Sequence, residues 1–237
     1  MASSNNEGLG SGRKRKRKKT KIDDGFYPNL VVGARLDGYM GIPMLMDLKN
    51  TSVPETIVPF DRIGEQVAKG NTRAYVGFYL FDDKFAEIIT DIDKYVETLK
   101  LFDGVITPDC TLLTGQANCL QSTNTYFNRA VGFYLQKKGI PVIPQIRWSD
   151  ERSYDYCFLG APKHDIVAVS TYGCIQSKEK KRSFREGFRA MLKALEPNDV
   201  VLHGPMPEEV FYGLGEYARI HHFDDWTKVR HMKDGGE

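Results

Sequence analysis

The sequence predicts one α/β domain of repeated strand and helix units with mainly parallel strands, placed behind a detached basic tail. Three observations predict it. Short apolar runs begin near positions 74, 104, 141, 165, 199 and 218, each separated from the next by a helical segment, which is the rhythm of right-handed βαβ crossovers. The 237 residues are 41% hydrophobic and 27% charged, enough for one substantial core. The charge is unevenly divided: residues 1–21 carry eight Lys or Arg against one acid, net +7, so residues 22–237 sum to −5.

Residues 1–24 join Ser, Asn and Gly to a run of like charge and hold almost no apolar side chains. Nothing there offsets the entropy of ordering, so the expectation is a disordered tail followed by a single domain over 25–237. Arg13, Lys14, Arg15, Lys16, Arg17, Lys18 and Lys19 form an unbroken cationic run. Such a run suits the phosphates of DNA or RNA, with strong salt dependence and no sequence preference. It equally suits an anionic membrane surface, nuclear import in a eukaryotic host, or a merely solubilising arm. Because the body is mildly acidic, any general affinity for polyanions is expected in the tail.

Beyond the tail, residues 29–32 and 42–48 are short apolar stretches between glycines and read as strand-like entry segments. Residues 74–80 read as a buried strand. Residues 82–101 read as a helix, since Phe85, Ile88, Ile89, Ile92, Val96 and Leu99 recur at three and four. The alternation continues through a strand at 104–107, a helix at 121–138, a strand at 141–147 and a short helix at 151–158. It closes with a strand at 165–170, a helix at 179–195, a strand at 199–203, a short helix at 207–214 and a last strand within 217–223. Six strands plus one or two entry segments approach the eight of a TIM-barrel-like fold, complete or incomplete. The alternative is an open doubly wound sheet. No G-x-G-x-x-G or G-x4-G-K-[ST] fingerprint follows any strand, which favours the barrel over a nucleotide fold.

Cys110, Cys119, Cys157 and Cys174 lie 9, 38 and 17 positions apart, matching neither paired zinc ligands nor a disulfide framework. They read as free thiols in a reducing compartment. No apolar region follows the basic start, and no run approaches the ~18 apolar residues of a membrane span. A cytoplasmic chain is expected.

Val105-Ile106-Thr107-Pro108-Asp109, Trp148-Ser149-Asp150-Glu151-Arg152-Ser153, Tyr156-Cys157-Phe158 and Val167-Ala168-Val169-Ser170-Thr171 with Gly173-Cys174 occur in that order. In this order they resemble domain-of-unknown-function family 4417, from bacteria, phages and other mobile elements, over roughly residues 26–223. The resemblance implies a compact α/β body in a bacterial host cell. It brings no established catalytic residue, cofactor or ligand, and the tail lies outside it.

In parallel α/β folds the loops leaving the C-terminal strand ends hold ligands and catalytic groups. That rule selects Asp82 and Asp83, Asp109, then Trp148, Asp150, Glu151 and Arg152, then Ser170, Thr171 and Cys174, and finally His203. Asp109 with Asp150 or Glu151 would divide general acid and base work if their environments separated their pKa values, or would hold a magnesium-class cation. Ser149 or Asp150 also reads as a helix cap, and Pro108-Asp109 as a turn. His203 reads as a proton donor or as a loop-satisfying histidine. Cys174 reads as a packed thiol unless a helix terminus depresses its pKa. Ser170 and Thr171 would bind phosphate or carboxylate at the entrance of the next helix, with Trp148 and Arg152 as further ligand contacts. Tyr126, Phe127, Phe133 and Tyr134 have helical spacing and read as core rather than as base-stacking rings. His221 and His222 alternate across a strand and define no metal site.

Three functions are open at this point. The first is a nucleic-acid-associated protein with a strand-end pocket. The second is an acid/base hydrolase acting on a small molecule or glycosidic-type bond, and the third is a non-catalytic interaction module. No cofactor class is indicated.

Overall fold

The computed structural model describes residues 27–46 and 51–226. The basic run and the last two residues of the 42–48 segment lie outside the described residues. The 29–32 segment is not strand-like: Pro28–Val31 is a 3-10 turn with Leu30 buried. Pro28 sets the first φ of that turn and supplies no N–H, so the segment starts a helical turn in place of a ladder. An antiparallel hairpin follows, β1 (Leu36–Asp37) and β2 (Ile42–Pro43), with Asp37 opposite Ile42. It docks through Gly160, whose N–H donates to Asp37 Oδ2 at 2.9 Å and whose carbonyl accepts from Leu45 N at 2.9 Å. With φ at +71° and Pro43 O only 2.2 Å from an ideal Cβ, position 160 admits no side chain.

The parallel body begins with β3 (Ile57–Pro59) and α1 (Ile63–Ala68), neither of which the apolar pattern had marked. Then come β4 (Tyr75–Gly77), α2 (Asp82–Phe85), α3 (Glu87–Thr90), α4 (Asp93–Leu99) and β5 (Gly104–Ile106). The helix expected over 82–101 is thus three short pieces. Asp91 leaves the helical region at φ −149°, ψ 56°, as an aspartate, a poor helix former, readily does. The three-and-four spacing survives the break, and Phe85, Ile88, Ile92, Val96 and Leu99 are all buried.

The chain continues through α5 (Asn118–Lys137), β6 (Val142–Ile143), α6 (Tyr154–Cys157), β7 (Ile166–Ser170), α7 (Lys178–Leu195), β8 (Asp199–His203), α8 (Glu208–Phe211) and β9 (Arg219–Phe223). Strands β3-β4-β5-β6 form a four-stranded sheet and β7-β8-β9 a three-stranded one, every pair parallel. One parallel bridge, Gln145 to Ala168, joins them; Ile146 N donates to Ala168 O at 2.8 Å and Ala168 N to Pro144 O at 2.9 Å. The seven strands therefore follow one another in chain order. Among the described residues no ladder pairs β3 with β9.

Side chains alternate across each strand, and the two faces have different partners. Val58, Val76, Phe78, Val105 and Val142 pack under the helices of the first half. Val167, Val169, Val200 and Leu202 pack under α7 with Phe184, Phe188 and Met191. The opposite face carries a third cluster, Tyr75, Ile106, Ile143, Ile166, Ala168 and Val201, joined by Ile57, Tyr79 and Phe223. Every strand from β3 to β9 thus contributes to a single apolar layer.

Candidate functional site at the strand ends

Continuing the alternation past that layer toward the C-terminal strand ends replaces apolar side chains with polar ones. Gln145 and Arg147 follow Ile143, Ser170 follows Ala168 and His203 follows Val201. Tyr79 Oη donates to Gln145 Oε1 at 3.3 Å, and Gln145 Nε2 donates to Asp109 Oδ1 at 3.2 Å. Arg147 Nη1 donates to Asp109 Oδ2 at 3.1 Å, with the two side chains 18% and 9% exposed. The Tyr79 and His203 rings stack at 3.8 Å, only 6° from parallel. A chain of five polar groups from four strand ends thus covers the inner layer.

Burial governs the charges here. It pushes the Asp109 carboxyl above the ordinary range, against the Arg147 cation and the Gln145 hydrogen bond that favour ionisation. Burial opposes the Arg147 charge too, and Asp109, Cys174 and Asp82 together more than restore it. The Tyr79 hydroxyl is pushed well up by desolvation and then by Asp109, so it stays protonated and donates. Burial lowers the His203 imidazole to about 4. It is neutral at physiological pH, and its Nδ1 is enclosed without a hydrogen-bond partner among the described residues.

Helix α5 holds this layer in place. Gln121, Thr125, Asn128 and Arg129 form a buried polar stripe at helical spacing. Asn128 Nδ2 donates to Pro108 O at 2.6 Å and to Gln145 O at 3.1 Å, while its Oδ1 accepts from Thr107 Oγ1 at 3.0 Å. Gln145 N in turn donates to Thr107 Oγ1 at 2.8 Å. Arg129 donates to the carbonyls of Gln145, Cys157 and Leu159, each at 3.0 Å. The exits of β5 and β6 are therefore fixed by side chains of one helix, a stripe the aromatic pattern of 121–138 had obscured.

Beside the layer lies a cavity of about 550 Å³, bounded by Leu112, Arg147, Trp148, Ser170, Cys174 and the first turns of α7. Its size is that of a small-ligand site. Trp148 is buried against Phe184 and Phe188 with ring centroids at 5.1 and 6.4 Å. Gly187 makes room for it, since a Cβ there would lie 2.0 Å from Trp148 Nε1. Ser170 also lines the cavity and accepts from Tyr172 N at 3.1 Å.

Of the other expected residues, Cys174 lines this cavity and the rest are engaged elsewhere. Asp150 caps the turn Glu151–Ser153, accepting from Arg152 N at 3.2 Å and from Arg152 Nε and Nη2 at 3.0 and 2.8 Å. Its carboxyl is held below the ordinary range by Arg152. Asp109 and Asp150 thus have separate basic partners, and Glu151 is exposed. Thr171 Oγ1 donates to Pro205 O at 2.8 Å, a loop clasp. Burial raises the Cys174 thiol, with Arg147 opposing. Asp82 accepts from Thr111 N at 3.2 Å and Thr111 Oγ1 at 2.8 Å, tying two strand exits together. His221 faces Asp199 at 2.7 Å and His222 the carbonyl of Gly204 at 2.8 Å.

The model of a domain of unknown function, DUF4417, matches residues 34–224, which includes every strand of the body. The chain belongs to the DUF4417 family. Two phage proteins are similar to this DUF4417 chain. The Gene 1 protein of Mycobacterium phage L5 is 31% identical over 129 residues, covering 54% of this chain and 56% of that protein. The Gene 1 protein of Mycobacterium phage D29 is 27% identical over 156 residues, covering 64% of this chain and 58% of that protein. The DUF4417 chain therefore spans under two thirds of the length of either relative. No solved structure matches it. Among the described residues, no helix is long and apolar enough to cross a membrane.

Proposed function

We propose that this protein is a nucleic-acid-associated phage or mobile-element protein whose barrel-like body binds a small ligand at the C-terminal strand ends. In this reading residues 13–19 attach it to DNA or RNA. The observation that carries the ligand site is the 550 Å³ cavity opening beside the largely buried Asp109–Arg147 pair. A cavity of that size, with an apolar wall and a few fixed polar groups, has the make-up of a ligand pocket.

Two observations support the barrel. Strands β4 and β8 are four positions apart in strand order, so in a flat sheet their ends would lie about 19 Å apart. Tyr79, just after β4, nevertheless stacks on His203 of β8 at 3.8 Å. The inner apolar cluster likewise draws on β3 at one end and β9 at the other. Similarity to two phage Gene 1 proteins supports the mobile-element setting, and the seven-cation run supports the nucleic-acid contact through its charge alone.

Two measurements test the halves separately. Filling the cavity with Ser183→Trp is expected to abolish ligand binding found by screening a fragment library against the full chain by NMR. Unchanged hits would reject the pocket. Deleting residues 1–21 is expected to weaken binding to a fluorescent DNA duplex at least about tenfold at low salt and to flatten its salt dependence. Equal anisotropy curves for both chains would reject the tail's role.

A further inference from the structure

We infer that the strand-end cavity takes a phosphate monoester joined to a flat ring, the chemistry of a mononucleotide. This rests on the pocket reading above and names its ligand class. The cavity is two-sided. One wall is apolar and partly aromatic, with Leu112, Ile146, Trp148, Val169 and Phe184, and suits a ring. The other carries Arg147, Ser149, Ser170, Ser177 and Lys180.

Several features of the polar side fit a phosphate group. Arg147 lies on the cavity wall with its side chain 18% exposed, and it gives Nη1 to Asp109. A guanidinium has five donors in a rigid fork, the geometry that phosphate oxygens accept. Helix α7 is 18 residues long, and its first turn borders the same space. Ser177 Oγ accepts from Lys180 N at 3.2 Å, leaving the N–H groups of Lys178 and Glu179 without an intrahelical acceptor. Those donors and the positive end of the helix dipole favour an anion. Lys180 adds a cation whose Nζ is held by Gln176 Oε1 at 3.2 Å. Glu179, the acid on the wall, is exposed, whereas the carboxylate behind Arg147 is only 9% exposed and already paired. The dianion therefore meets one guanidinium, one ammonium and backbone donors that take no acceptor within the helix.

A free mononucleotide and the 5′-phosphorylated end of a strand share this chemistry. The test uses the full chain carrying Trp226→Phe, so that Trp148 is its sole tryptophan and fluorescence reports from the cavity wall rather than from the first-half core, against which Trp226 packs. Adenosine 5′-monophosphate is expected to quench Trp148 with a Kd at least tenfold below that of adenosine. Lys180→Glu, an exposed change at a helix start where an acid is welcome, is expected to close most of that gap. Quenching by a 5′-phosphorylated trinucleotide at lower concentration than the mononucleotide would assign the strand end as source, and the reverse order the free nucleotide. Equal affinity for adenosine and its monophosphate would overturn the phosphate assignment and leave the pocket standing. Silence of Trp148 toward both would overturn it as well. A fragment library read on the same signal then separates the two failures, because any fragment response keeps the pocket and none removes it.

Discussion

Replacing Arg129 with methionine is expected to lower the unfolding free energy by about 3 kcal/mol, read as a shifted urea midpoint at unchanged slope. Arg129 is 1% exposed and lies on α5, with its guanidinium spread over three main-chain carbonyls and the side-chain oxygen of Asn128. Methionine matches much of the volume and makes none of these bonds. Gln145 O keeps Asn128 as a donor, whereas Cys157 O and Leu159 O lose theirs to Arg129. Each carbonyl left unsatisfied in the interior costs about 1–3 kcal/mol. Recovery of the guanidinium's own burial cost opposes this, and that cost is real, since desolvation lowers the Arg129 pKa to about 10. The carbonyls prevail because there are two of them and they anchor the loop after α6. Arg129→Lys should recover only part of the loss, for one ammonium cannot span three carbonyls. Arg73→Met is the control. Its ion pair with Glu55 has side chains 83% and 72% exposed, so the change should stay within about 0.5 kcal/mol. A loss at Arg129 no larger than that would refute the bracing role of α5.

That bracing shows where the sequence was legible and where it was not. The strand rhythm could be read because β4, β5, β7 and β8 are buried on both faces and appear as continuous apolar runs between turn residues. Strand β3 could not: it is three residues long and ends in Pro59, so it offers neither a run nor an alternation. Asp109 and His203 were reachable from the rule that strand exits carry chemistry. Their partners Tyr79, Gln145 and Arg147 were not singled out, although Ile143, Gln145 and Arg147 already stood two apart along one run. A polar residue entering an apolar alternation just before a strand exit was the available signal. On α5 the aromatic residues drew the reading, while Gln121, Thr125, Asn128 and Arg129 kept the same helical spacing and are buried as well, and Gln121, Asn128 and Arg129 hold the loops. Polar side chains at core spacing look like a solvated face until the carbonyls they satisfy are known. The separation of Asp109 from Asp150 was beyond any sequence reading, because it depends on Arg147 and Arg152 each claiming a different acid.

The Asp109–Arg147 pair gives the second large effect and a pH signature of its own. Arg147→Met should cost about 3–5 kcal/mol near neutral pH, as removal of one partner of a buried pair does. The deficit should shrink as the solution is made acid. In the native protein Asp109 already has its pKa raised from 3.8, chiefly by desolvation, and loss of the Arg147 cation removes the main influence holding it down. A carboxyl whose folded pKa exceeds its unfolded value binds its proton more tightly in the folded state. Its contribution is therefore most favourable below the unfolded pKa and is lost as pH rises through the folded one. The variant should thus approach the parent's stability toward pH 4 and fall away from it toward pH 7. Asp109→Asn separates the two causes. An amide still accepts from Gln145 and needs no cation, so Asp109→Asn combined with Arg147→Met should be more stable at pH 7 than Arg147→Met alone. Denaturation curves for the four chains at pH 4 and pH 7 close this cycle. If the Arg147→Met deficit is the same at both pH values, lost packing rather than an uncompensated carboxylate sets it. Asp109 would then not depend on Arg147 for its charge.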